Sequence, residues 1–156
     1  MMTTFPEPEA GDSPSKLEVF NPSGHTLPFQ ESDLLSLLES IEKGESVQFH
    51  SIEFVFTGEA GIVDINSTYL DRSYVTDIIS FRLDDDESDQ AIEGTLYCCA
   101  PRIAEQSEEF DTTPEVEFLR VAIHGMLHLA GYDDQTDDDK AVMTSREDYY
   151  LQTLFH

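Results

Sequence analysis

Residues 122–139 read AIHGMLHLAGYDDQTDDD and combine the end of one helix, a glycine turn and the start of another helix. His124 and His128 are four residues apart in the first helix, so their Cβ atoms should lie about 5–6 Å apart on one face. Gly131 can reverse the chain, because glycine adopts left-handed backbone conformations at little cost. The segment therefore predicts that Asp133 or Asp134 returns over the helix end, beside the two imidazoles.

Two imidazoles and a carboxylate at this spacing predict one bound divalent metal ion, and zinc fits the ligand set. Zinc sites with three protein ligands and a fourth position open to water are typical of hydrolases. The ion lowers the pKa of that water to around 7. A single histidine in an apolar helix is usually a packed core residue, but two of them before a glycine turn and two acids favour the metal interpretation.

The residue after the first histidine argues against a peptidase. In the metalloprotease motif HExxH, the glutamate at that position is the general base. Here the position is Gly125, which has no side chain to accept a proton. The sequence names no other general base, so the reacting group is expected to be a water held by the metal.

Hydrophobic periodicity predicts a mixed α and β domain. Apolar residues at helical spacing, with capping residues such as Thr113 and Thr136, indicate helices, and runs with a period of two indicate strands. Gly44 is expected to end the first helix. The predicted strands span residues 17–20, 47–56, 78–81 and 94–100, and the predicted helices span 32–44, 58–69, 103–110, 113–131 and 136–154, with an acidic connection over 84–90. Strands that alternate with helices predict an α/β or α+β fold in which helices cover a small sheet.

The chain is strongly acidic, with 33 Asp and Glu residues against 8 Lys and Arg residues and a formal net charge of −25. A solvated acidic surface favours solubility. We favour the more specific hypothesis of a salt-rich cytoplasm, where molar salt screens self-repulsion within about 3 Å. The charge argues against a nucleic-acid partner at ordinary salt, because phosphate binding normally depends on Lys and Arg. A local site could still bind RNA where salt weakens the long-range repulsion.

The length of 156 residues predicts a single domain. We expect residues 1–16 to form a flexible tail without a secretory signal, and residues 17–156 to form the domain. No apolar stretch approaches the roughly 18 residues needed to cross a bilayer. The adjacent Cys98 and Cys99 are unsuited to a disulfide, so a cytoplasmic location is expected.

The run from His124 to Asp134 closely resembles the H-G-x-L-H-L-x-G-Y-D-H signature of the YbeY family. An upstream block that contains Asn66, Tyr69 and Asp77 (N-x-x-Y…T-D-I-I-S-F) is similar to a second motif of that family. The resemblance covers about residues 17–154. It implies a metal-dependent endoribonuclease that is specific for single strands and acts in small-subunit ribosomal RNA maturation. It also implies a small, mostly parallel four-stranded sheet surrounded by about five helices, with the metal in a cleft.

The ligand positions depart from the family pattern at one residue. Asp134 stands where the family has its third histidine. Because the spacing is retained and a carboxylate suits zinc, the predicted metal ligands are His124, His128 and Asp134. Asp133 is assigned to the turn or to a supporting contact.

Two further departures concern the substrate. Leu70 stands where the family has an arginine that is thought to help with RNA, and Thr95 stands where the family often has an acid. Arg72 is a candidate replacement for the missing arginine. Arg102 and Arg120 are the other candidates for phosphate contacts, although an ion pair is favoured for Arg120 in so acidic a chain.

The expected partners are single-stranded RNA, ribosomal RNA or the small ribosomal subunit, with no membrane and no DNA. Two alternatives remain open. The first is another metallohydrolase that acts on small phosphate esters. The second is a ribosome-assembly factor without catalytic activity. In that case the metal would stabilise the turn after the helix and would have no coordination position open to water.

Overall fold

The computed structural model describes residues 16–84 and 91–155. Almost all of the predicted N-terminal tail, and all but Asp84 of the predicted acidic connection, lie outside the described residues. No helix in the described part has the length and apolar character needed to span a membrane.

The described chain forms four strands and five helices. The strands are β1 (Leu17–Phe20), β2 (Phe49–Thr57), β3 (Ile78–Arg82) and β4 (Ile92–Cys99). The helices are α1 (Glu31–Glu45), α2 (Glu59–Leu70), α3 (Ala100–Glu109), α4 (Pro114–Leu129) and α5 (Asp137–Leu154). The predicted elements are all present, but α3 begins three residues earlier than predicted. Pro101 lies in its first turn, where the missing N–H of proline costs nothing.

The strands form one sheet in the order β1-β2-β4-β3. β1 and β4 both run parallel to β2, and only β3 runs antiparallel, against β4. The predicted small, mostly parallel four-stranded α/β sheet is therefore confirmed.

Both faces of the sheet are covered by helices. Successive residues of β4 alternate between the faces, as a pleated strand requires. Leu96 and Cys98 belong to the main core together with buried residues of α1, α4 and α5. Cys99 belongs to a smaller cluster with Ile62 of α2. The chain thus places α2 on one face, and it buries α4, which carries both histidines, on the other.

Helix α4 lies close to the sheet at Gly125. A Cβ atom added there would lie 2.6 Å from Ile78 Cδ1 and 3.0 Å from Leu96 Cδ2. A side chain at this position would therefore point into the core rather than into solvent. This packing gives a physical reason why the glutamate of a peptidase motif has no place here.

Gly44 does not end α1 as predicted. The helix continues to Glu45, and Ser46 takes the left-handed cap conformation with φ of 57°. A Cβ atom at Gly44 would collide with the hydroxyl and ring of the fully buried Tyr150 in α5. The absence of a side chain at Gly44 therefore allows α5 to pack closely against α1.

Replacing Gly44 by alanine is expected to lower the free energy of unfolding by about 1–3 kcal/mol, although alanine favours helix. The Tyr150 ring cannot yield easily, because its hydroxyl donates to Glu45 and accepts from Arg146. Urea unfolding measures the change. Gly58→Ala is the control, because no atom lies within 4 Å of a Cβ at that position. Equal losses in the two variants would contradict this account.

Candidate metal centre

The last two turns of α4 bring His124 and His128 together as predicted. Their Nε2 atoms are 3.0 Å apart, and each side chain is about one quarter exposed. Gly131 follows with φ of 113°, which only glycine adopts readily. The N–H of Tyr132 then donates to the carbonyl of Leu127 at 3.0 Å, which closes the reversal of the chain.

The reversal brings Asp134 over the two imidazoles. Its Oδ2 lies 3.3 Å from Nε2 of His124 and 3.4 Å from Nε2 of His128. Asp133 instead accepts the backbone N–H of Asp134 at 2.9 Å. Of the two adjacent acids, Asp134 faces the histidines and Asp133 shapes the turn.

The three facing atoms suit one metal ion. They form a triangle with sides of 3.0, 3.3 and 3.4 Å. A tetrahedral ion with bonds of about 2.0–2.1 Å keeps its ligands about 3.3–3.4 Å apart. We call these residues the triad: His124, His128 and Asp134. Within residues 16–84 and 91–155, this is the group of histidine and acidic side chains that could hold a metal.

Each histidine of the triad is oriented by a contact to its other ring nitrogen. Nδ1 of His128 lies 3.0 Å from the carbonyl oxygen of Tyr132, and Nδ1 of His124 lies 2.7 Å from Oε2 of Glu147. Such contacts fix the tautomer that leaves Nε2 free to bind a metal. Burial favours the neutral ring of His124, but Glu147 and Asp134 outweigh it and raise the pKa of that histidine.

Glu147 is the supporting residue that the sequence did not reveal. It lies in α5, 23 residues from His124, and it is buried. Its second oxygen accepts from Arg120 at 3.1 Å, and Arg120 also donates to Asp148 at 2.8 Å. The ion pair favoured for Arg120 is therefore confirmed. This arginine holds Glu147, which in turn contacts His124 of the triad.

Glu147→Gln is expected to weaken metal binding about 10- to 100-fold, the usual effect of losing an outer partner of a ligating histidine. The amide keeps the size of the side chain but removes the charge that polarises the His124 ring. Titration with a competing chelator measures the affinity. Asp148→Asn is the matched control, because Asp148 shares Arg120 but is half exposed and has no contact with the triad. A wild-type affinity in Glu147→Gln would contradict the supporting role.

Two clefts meet at the triad. The first cleft has a volume of about 500 Å³ and is lined by residues that include Leu70, Arg72, Tyr74 and His128. The second cleft has a volume of about 340 Å³ and is lined by residues that include Phe110, Glu117, Arg120 and Lys140. Asp77, His124 and Asp134 line both.

The two clefts hold carboxyl groups with raised pKa values. Burial raises the pKa of Asp77, whose Oδ2 accepts from Gln106 at 3.1 Å. Burial also raises the pKa of Glu117 from 4.5 to about 7, with Arg120 opposing the shift and Asp77 adding to it. Both groups can therefore carry a proton closer to neutral pH than an ordinary carboxyl.

The raised pKa of Glu117 predicts a pH-dependent stability. The folded chain holds the proton up to about pH 7 and the unfolded chain only to about 4.5, so this contribution to stability falls as the pH rises between them. In Glu117→Gln the side chain is neutral at every pH. Its free energy of unfolding, relative to that of the wild type, should therefore be about 2–3 kcal/mol higher at pH 8 than at pH 5. Urea unfolding at both pH values measures the gain. Glu115 is exposed, so Glu115→Gln should show the same dependence of unfolding free energy on pH as the wild type. If Glu117→Gln also showed the wild-type dependence, the prediction would be contradicted.

The remaining arginine candidates differ in position. Arg72 lines the first cleft together with Leu70, and its side chain has no hydrogen bond or ion pair with the described residues. Arg102 lies on α3, lines neither cleft, and donates to Glu105 and Glu109. Of the three candidates, Arg72 is the one whose guanidinium is available near the triad.

The fold and the triad together define a small α/β domain with a candidate His/His/Asp metal site at the end of its central helix. The sequence profile of the family described as Endoribonuclease YbeY matches residues 27–155. This chain therefore belongs to the YbeY endoribonuclease family, which confirms the resemblance.

Individual relatives support the same assignment. The chain is 39% identical to an endoribonuclease YbeY of Chloroherpeton thalassium, over 81% of this chain and 87% of that protein. It is 38% identical to the one of Chlorobium luteolum, over 90% and 98%. It is also similar to the solution structure of a Thermotoga maritima protein, with a TM-score of 0.56, 25% identity and 89% of each chain covered.

Proposed function

We propose that this protein is a metal-dependent endoribonuclease that cuts single-stranded RNA, with precursors of small-subunit ribosomal RNA as its substrate in the cytoplasm. The observation that carries the proposal is the triad, whose three facing atoms lie 3.0–3.4 Å apart where two clefts meet. Membership of an endoribonuclease family supplies the class of reaction.

The triad would hold one divalent ion, and zinc suits two imidazoles and a carboxylate. When bound, such an ion supplies Lewis acidity and positive charge that offsets negative charge on the phosphoryl oxygens. Glu147 and the carbonyl of Tyr132 keep the two imidazole rings aligned. Elemental analysis of protein purified without a metal-affinity tag identifies the ion.

The substrate side of the proposal depends on Arg72. Leu70 and Arg72 line the same cleft, so an arginine two residues along the chain reaches the space that the family's arginine would serve. A guanidinium without a protein partner suits a phosphate oxygen. We propose that Arg72 contacts the phosphate backbone beside the triad.

The test compares three substrates under one set of conditions: a single-stranded RNA, the same RNA annealed to its complement, and a generic phosphate ester. We expect cleavage of the single strand alone, loss of cleavage with a chelator, and recovery on adding zinc. Cleavage of a precursor of small-subunit ribosomal RNA then tests the proposed substrate. Turnover of the ester but not of RNA would overturn the proposal.

The two alternatives from the sequence are not favoured. The family that matches is described as an endoribonuclease, which is neither an esterase for small molecules nor a factor without catalytic activity. A purely structural metal also needs a closed coordination shell, whereas two clefts reach the triad.

A further inference from the structure

The two clefts offer an RNA strand few free cations: of the described residues that line them, Arg72 in the first cleft and Lys140 in the second have no ion pair, whereas the other cations are held by protein groups. In the first cleft, Arg82 donates to Asp84 at 2.9 Å and to the carbonyl of Leu129 at 3.3 Å. In the second cleft, Arg120 is held by Glu147 and Asp148. Carboxyl groups from the triad and its surroundings line both clefts, and the chain as a whole carries a net charge of −25.

With one free cation in each cleft against several carboxyl groups, affinity for a polyanion gains from a contribution that does not depend on charge. Stacking of nucleobases on aromatic side chains is such a contribution, because every base has an aromatic face and stacking tolerates any sequence. It also discriminates by strandedness, because the base faces of a duplex are already stacked on one another.

Each cleft contains one strongly exposed aromatic residue. Tyr74 lines the first cleft and is 54% exposed, and Phe110 lines the second cleft and is 64% exposed. Single exposed apolar residues are ordinary on protein surfaces. Here the two lie in clefts that share Asp77, His124 and Asp134 as lining residues, so one strand laid across the triad has access to both residues.

Both aromatic residues are held on ordered backbone. The carbonyl of Tyr74 accepts from the side-chain amide of the buried Asn66 at 2.9 Å. The N–H of Phe110 donates to the carbonyl of Gln106 at 2.9 Å, and Asp111 turns the chain with φ of 55°. The backbone that carries each ring is therefore fixed before a base stacks there, which lowers the ordering cost of binding.

We propose that Tyr74 and Phe110 each stack a nucleobase of one RNA strand, on opposite sides of the phosphate that meets the triad. The inference rests on the proposed function, since it assumes that RNA is the substrate. It assigns the preference for single strands to these two side chains. Because stacking is insensitive to salt, it also lets a highly acidic chain bind RNA where ionic contacts are screened.

The experiment measures binding of a labelled 2′-O-methyl RNA strand to the metal-loaded protein, and a gel afterwards verifies that the strand is intact. Tyr74→Ala and Phe110→Ala should each weaken binding about 5- to 100-fold, the usual effect of removing one stacking residue. Tyr74→Phe and Phe110→Tyr keep a ring and should stay within about twofold of the wild type.

The matched controls are Tyr149→Ala and Phe155→Ala. These residues have similar exposure, 49% and 50%, and line neither cleft. Both controls should bind RNA like the wild type. Strands that carry 2-aminopurine at successive positions add a direct signal, because stacking on an aromatic ring quenches its fluorescence. The quenching should disappear at one position in Tyr74→Ala and at another in Phe110→Ala.

The outcomes separate this inference from the proposed function. If the wild type binds and cuts single-stranded RNA but both alanine variants bind as tightly, stacking is overturned and the endonuclease stands. If Tyr74→Phe loses as much affinity as Tyr74→Ala, the hydroxyl rather than the ring makes the contact, which also overturns stacking there. If the wild type binds no RNA at all, both proposals are overturned.

Discussion

His124→Ala and His128→Ala should each remove the bound metal and abolish RNA cleavage. Each variant leaves two of the three ligands of the triad. Loss of an outer partner alone typically costs 10- to 100-fold in metal affinity, and loss of a ligand costs more. The Nε2 atoms of the two histidines are 3.0 Å apart, so neither ring could take over the position of the other without moving the helix.

Two readouts check this expectation separately. Elemental analysis reports the metal content, and cleavage of a single-stranded RNA reports the activity. His50→Ala is the control, because His50 lies at the start of β2 with a side chain that is 70% exposed and lines neither cleft. If purified His124→Ala and His128→Ala both still cleaved RNA, the metal-dependent mechanism would be contradicted.

A stability measurement guards against simple unfolding of these variants. A metal that binds only the folded chain raises its melting temperature by mass action. The wild type should therefore melt at a lower temperature with a chelator, and the His124 and His128 variants should melt near that lower value whether or not the chelator is present. A variant far less stable than the chelated wild type would have lost packing as well as metal.

Local rules were sufficient to predict the centre of the fold from the sequence. The hydroxyl of Thr113 accepts the N–H of Val116 at the start of α4, and that of Thr136 accepts the N–H of Asp139 at the start of α5, as capping predicts. The spacing of His124 and His128 and the turn at Gly131 depend only on neighbours within a few residues. These features could therefore be derived before any tertiary contact was known.

The support of the triad could not be derived in the same way. Glu147 is brought to His124 by the packing of α5 against α4, and nothing in the spacing of the two residues indicates it. Asp77 lies directly before β3, 47 residues before His124 along the chain, and lines the same cleft as the triad. Such contacts are set by the crossing of elements, which hydrophobic periodicity does not specify.

Gly44 is a second case in which a distant contact, rather than local sequence, determines the role of a residue. A glycine after an apolar helical run is the usual signal of a helix end. Helix α1 instead continues for one residue after Gly44. Because Gly44 has no side chain, the Tyr150 ring can pack against the helix there. The prediction that Gly44 ends the helix was wrong because the residue that requires a glycine there, Tyr150, lies 106 residues away along the chain.

The last strong expectation concerns the two adjacent acids. Asp134→Ala should lose metal at least as severely as removal of a supporting partner, about 10- to 100-fold or more. Asp133→Ala should lose little. The difference follows from geometry, because Oδ2 of Asp134 lies within 3.4 Å of both imidazoles, while the carboxylate of Asp133 accepts a backbone N–H of the turn.

Asp134→His sharpens this test, because it replaces the carboxylate at this position with an imidazole. An imidazole is also a good zinc ligand, so this variant should retain metal where Asp134→Ala does not. Chelator competition on the three variants measures the order of affinity. Retention in Asp134→His and Asp133→Ala with loss in Asp134→Ala identifies Asp134 as the third ligand. Equal affinities in Asp133→Ala and Asp134→Ala would contradict that assignment, because the turn rather than one carboxylate would then govern binding.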